Sequence, residues 1–128
     1  IDKYIYKRRL YKFSGEKHMA SHDITIDQGS TFSKTLTLLD DSNAVIAITN
    51  DTFRGQVRKH HSSTDIQATF TFAITDGPNG VVTWSLTPTQ TAAMGTGKFV
   101  FDVEWVKADS TVVRLLEGVA DCTPEVTR

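Results

Sequence analysis

Few residues of this 128-residue chain have the types and spacing that chemistry needs. Asp102 and Glu104 are the strongest pair. Two carboxylates can hydrolyse a glycoside when one has a raised pKa and faces the other across a cleft. Here they alternate with Phe99, Phe101, Val103 and Trp105, so a strand would place them side by side on one wet face. That arrangement reads as solvated surface, not as an acid–base pair. His60-His61 would point to opposite faces of a strand, which makes a poor metal site; further ligands would have to come from His18, His22 or Cys122. Asp40-Asp41-Ser42-Asn43 has the acidity of a calcium loop but lacks the glycine and glutamate of the EF-hand spacing, and reads as a turn. Gly77-Pro78-Asn79-Gly80 lies between two strand-like runs, without the helix N-terminus that holds phosphate. Cys122 is the single cysteine, with no His beside it and no helix N-terminus to activate it. No G-x-S-x-G, Walker or H-E-x-x-H pattern occurs. The expectation is a protein with no catalytic residue, no metal and no cofactor.

Charge points instead to binding. The net charge of −1 hides an asymmetry. Residues 1–18 carry six Lys/Arg against two acids, net +4; residues 19–128 carry eight Lys/Arg against thirteen Asp/Glu, net −5. The leading stretch interleaves Tyr4, Tyr6 and Tyr11 with Arg8 and Arg9, and fits neither a strand nor a helix. Residues 1–21 therefore read as a basic aromatic arm, and residues 22–128 as the folded domain. Cations between aromatics can grip phosphates and stack on bases, but the acidic body argues against nucleic acid. A neighbouring protein, including a second copy of this chain, is the expected partner. Tyr4, Tyr6, Arg8, Arg9 and Tyr11 are the candidate contacts, with Arg54 and Arg58 on an outward strand face, where together with Lys59 they can instead meet Asp102 and Glu104 as cross-strand pairs. His18-Met19 is also what a common cloning site encodes, so one expectation places the native start at Met19.

The elements that must position these residues are strands. Period-two runs are expected at 23–27, 31–39, 53–59, 66–74, 81–87, 97–106 and 111–122. The run Ile66, Ala68, Phe70, Phe72, Ile74 is expected to be one strand with a single inward face, turning through Asp76-Gly77-Pro78-Asn79-Gly80 into Val82, Trp84 and Leu86. Thr87-Pro88-x-Gln90 carries the only helix-start signal. In the last run Val113 and Leu115 share one parity, and Ala120 and Cys122 the other, which places a bulge at Gly118. Seven short strands and one helical turn make an all-β antiparallel sandwich. No run approaches the ~20 apolar residues that span a bilayer, so no membrane is expected.

The order Ile24-Thr25-Ile26-x-Gln28-Gly29-Ser30-Thr31-Phe32, then Gln56-Val57-Arg58-Lys59, then Gln90-Thr91-Ala92-Ala93, then Gly97-Lys98-Phe99-Val100-Phe101-Asp102-Val103-Glu104, then Arg114-Leu115-Leu116-Glu117-Gly118, then Pro124-Glu125-Val126-Thr127-Arg128 resembles small structural proteins of tailed bacteriophages. It is similar in pattern to the N-terminal domain of baseplate upper proteins. The resemblance spans roughly residues 22–128 and rests on framework positions. It implies an immunoglobulin-like sandwich and a non-enzymatic virion component of the tail, baseplate or adaptor, made in the bacterial host cytoplasm. The partners implied are other virion proteins. A capsid decoration protein and a carbohydrate- or host-surface-binding module are the alternatives; the second needs exposed aromatics, and Trp84 and Trp105 both read as inward.

Overall fold

The computed structural model describes residues 4–5, 20–40 and 44–127. In chain order the strands are β1 (Tyr4–Ile5), β2 (Ala20–Ser21), β3 (Ile24–Asp27), β4 (Phe32–Leu39), β5 (Thr52–Arg58), β6 (Ile66–Thr69), β7 (Thr71–Asp76), β8 (Val81–Leu86), β9 (Gly97–Val106) and β10 (Val112–Thr123). Helix α1 (Pro88–Ala93) separates β8 from β9. One sheet has the order β1-β4-β8-β7; the other runs β2-β10-β9-β5-β6, with β3 also on β10. Most pairs are antiparallel, but β1 runs parallel to β4, and β2 and β3 run parallel to β10. This order, with β3 laid along the last strand and a chain that switches sheets between β6 and β7, is that of an immunoglobulin-like sandwich.

β9 behaves as its alternation dictates. Phe99, Phe101, Val103 and Trp105 are buried, while Asp102 and Glu104 face outward. The core converges on Trp84, which is fully buried. Phe70 and Phe32 meet it edge-on, at ring distances of 4.9 and 5.4 Å, and Phe101 stacks on it at 5.9 Å. Edge-to-face and stacked pairs add to simple burial. α1 is opened by the expected box: Thr87 Oγ1 accepts from Gln90 N, and Gln90 Oε1 accepts from Thr87 N.

Two expectations are corrected. Residues 66–74 are not one strand. The chain crosses between sheets at Phe70, so β6 pairs with β5 and β7 with β8. Phe70 still donates from its backbone N to Gly55 O, and its ring fills space that a side chain at Gly55 would contest. The inward parity fades at the two ends of this run: Ile66 and Ile74 keep 47% and 37% of their surface exposed. The second correction concerns the last strand. The register slips between Arg114 and Leu116, so the extra residue is Leu115, not Gly118. Leu115 and Leu116 are both buried as a result. Gly118 is needed for a different reason. An added Cβ there would lie 2.5 Å from His22 O, so glycine admits the link between β2 and β3 to the edge of β10.

Candidate functional site

The outward face of β5, β9 and β10 carries Asp102, Glu104, Arg54 and Arg58 of the residues that the sequence singles out. Register builds it in rows. Arg54, Glu104 and Arg114 lie opposite one another across the three strands, and Gln56, Asp102 and Glu117 form the next row. Arg54 Nε donates to Glu104 Oε1 at 2.6 Å. Arg114 reaches Asp102 at 3.6 Å and Glu117 at 4.0 Å. Arg58 donates through its guanidinium to Gln56 Oε1 and to Ser63 O. Lys59 lies over the Phe99 ring at 5.4 Å. The rows floor a shallow depression of about 480 Å3, to which His61 also contributes.

Arg54 therefore pairs with Glu104 as the cross-strand reading expected, while Arg58 reaches the same face through Gln56 and Lys59 lies over the Phe99 ring instead. Arg114 and Glu117 were missed. Their spacing of three residues places them on opposite faces of a regular strand. Only the bulge at Leu115 brings both outward. Of the arm candidates, Tyr4 is described by its backbone alone. It pairs in parallel with Leu38 of the same chain, as Ile5 does with Leu39. Tyr6, Arg8, Arg9 and Tyr11 lie outside the described residues. So do residues 41–43 of the acidic turn, whose Asp40 accepts from Ala44 N.

Electrostatics follow from the rows. Asp102 is flanked by two acids, Glu104 along its strand and Glu117 across from it. Its carboxyl is held above the ordinary 3.8, first by burial and then by Glu104, with Glu117 adding and Arg114 and His61 opposing. Ionised Asp102 is thus less favourable in the folded chain than in the unfolded one. Stability falls as pH rises from the ordinary carboxylate value through the raised one, and the deficit persists above it. Asp102→Asn should therefore melt higher than the wild type at pH 7. The gap should close below the ordinary carboxylate pKa. A gap that widened on acidification would show that the attraction to Arg114 governs this carboxylate instead.

Chemically the site is a ladder of ion pairs on an open sheet. Its carboxylates, Asp102, Glu104 and Glu117, lie side by side on one sheet face. Among the described residues no group of three or more His, Cys, Asp or Glu could hold a metal ion, and no helix is long and apolar enough to cross a membrane. Trp84 and Trp105 are buried, so neither offers a ring to a sugar. Burial pushes the Cys122 thiol up, with Asp121 and Asp27 adding to it, which leaves it a packing residue.

Comparison with solved structures gives distant likenesses. One is to the Lin-41 filamin domain, at 14% identity over 77% of this chain and 82% of that one, with a TM-score of 0.46. Another is to a family 123 glycoside hydrolase from Clostridium perfringens, at 8% identity over 98% of this chain, with a TM-score of 0.39. This chain spans only 27% of that enzyme. No family model and no curated protein matches the chain. The class rests on the strand order itself: an all-β, immunoglobulin-like sandwich.

Proposed function

We propose that this chain is a non-enzymatic structural subunit of a tailed-bacteriophage particle, in the tail, baseplate or adaptor, that works by docking on other virion proteins. The phage assignment is supported by the framework resemblance of residues 22–128. The docking role is supported by one geometric observation. The acids of the outer face are laid out flat beside arginines, in rows fixed by strand register. Such a surface offers a pattern of alternating charge to a complementary protein face, and it holds no carboxylate apart in a dry cleft for proton transfer. Arg54, 64% exposed at its side chain, is the reachable end of the ladder.

The direct test is immunogold electron microscopy of purified particles with antibody to this domain, paired with mass measurement in solution. Labelling at a fixed place on the particle is the expected result. A domain absent from particles would overturn the assignment. Charge reversal at Arg54 and Arg114 together is expected to lower occupancy in the particle while leaving the isolated domain folded.

A further inference from the structure

We propose that the Asn79–Gly80 junction, in the turn between β7 and β8, is a self-modification site held shut by the side chain of Asp76. Asparagine followed by glycine can react with itself. The backbone nitrogen of the glycine adds to the side-chain amide carbon of the asparagine. The bond from that carbon to the side-chain nitrogen breaks, and ammonia leaves with the proton of the backbone N–H. A cyclic imide remains, and water opens it at either carbonyl to give aspartate or isoaspartate. Water is the only co-reactant. Glycine permits the attack because no Cβ screens its nitrogen. The fold cannot dispense with the glycine here. Gly80 has a left-handed φ of 72°, and an added Cβ would lie 2.5 Å from Ile46 O. Asp76-Gly77 is a junction of the same kind. An aspartyl side chain must be protonated before it can lose water, so near neutral pH the asparagine reacts first.

The turn keeps the reactive pair and pins both of its members. Gly80 N, the nucleophile, donates to Gly77 O at 3.1 Å and closes the single 3-10 turn Gly77–Asn79. Asn79 Nδ2, the leaving nitrogen, donates to Asp76 Oδ2 at 2.9 Å. One bond engages the proton that the nucleophile must lose. The other ties the side-chain amide to the residue that opens the turn. The backbone around them is anchored as well: Ile48 N donates to Gly77 O and Leu38 N to Gly80 O, each at 2.9 Å. Asn79 itself is exposed, so water reaches it. Reaction therefore waits on local opening of this turn. Once it occurs, the turn does not reclose as before. The new carboxylate has no N–H to give Asp76 and repels it. Isoaspartate also adds a methylene to the backbone just before Val81, where β8 begins.

The test is peptide mapping by mass spectrometry of the full chain, incubated at mildly alkaline pH both folded and in urea, beside Asp76→Ala and Asn79→Gln. Circular dichroism confirms the fold of each. Wild type should convert at residue 79 readily in urea and far more slowly when folded. Losing one hydrogen bond to a charged acceptor raises the open population, so folded Asp76→Ala should convert roughly tenfold faster than folded wild type. In urea, where no turn exists, the two rates should match. Asn79→Gln, whose longer side chain closes the ring poorly, should stay unconverted in both conditions. Amide hydrogen exchange on converted wild type gives a readout independent of any variant: Leu38 and Ile48 should lose protection. A folded wild type that converts as fast as the chain in urea would overturn the proposal. So would an absence of conversion in urea, or an Asp76→Ala rate equal to wild type in the folded state. Unchanged protection at Leu38 and Ile48 would overturn the claim that conversion releases the turn.

Discussion

Trp84→Ala is expected to cost the domain about 3–5 kcal/mol, the range for deleting a large buried aromatic. The indole is fully buried and touches Phe32, Phe70 and Phe101, rings contributed by both sheets. Removing it leaves a void among rings of both layers. Trp84→Phe should cost far less, for a reason particular to this site. The Trp84 N–H finds no acceptor among the described residues, and a buried donor without a partner carries a penalty of roughly 1–3 kcal/mol. Phenylalanine keeps ring contacts and removes that donor. Urea midpoints of the two variants, compared at constant slope, check both statements. A Phe variant as unstable as the Ala variant would mean that the N–H is satisfied in solution.

Asp51→Ala is expected to cost about 2–4 kcal/mol, since hydrogen bonds to a charged group contribute roughly 1.5–3 kcal/mol each and do not add fully. The carboxylate accepts from Trp105 Nε1 at 2.8 Å and from Ala108 N at 3.0 Å. It ties the entry of β5 to the end of β9 and to the turn leading into β10. Without it, Trp105 keeps its burial and loses the acceptor of a polar atom. Asp51→Asn retains one acceptor oxygen and should recover about half the loss. Equal losses for Ala and Asn would show that both oxygens are needed at full charge; no loss for either would show the latch to be idle.

Asp51 also marks where the sequence stops being legible. As part of Thr49-Asn50-Asp51 it reads as a turn residue, and its partners lie more than fifty positions away. Nothing local signals such a latch. β9, the β7–β8 hairpin and the α1 box could be read because their determinants are local: alternation, a glycine-bearing loop, and a Thr, Pro and Gln at fixed spacing. The sheet switch at Phe70 could not, because parity continues unbroken through it and only the competition between β5 and β8 for pairing decides where the chain crosses. The acidic half of the outer face was visible in Asp102 and Glu104, and Arg54 followed as its cross-strand answer. Arg114 and Glu117 stayed hidden behind a bulge that the apolar pattern placed three residues late.

The parallel zipper between β3 and β10 has a mechanical consequence. Ile24–Asp27 is in register with Ala120–Thr123 over the whole of its length. Pulling the start of β3 away from the end of β10 therefore slides the two strands along each other and loads all their cross-links at once. A hairpin pulled from its open end would instead give way one link at a time. In a subunit strung between neighbours at its two ends, tension would be borne by this seam, and the aromatic core behind it would feel the strain last.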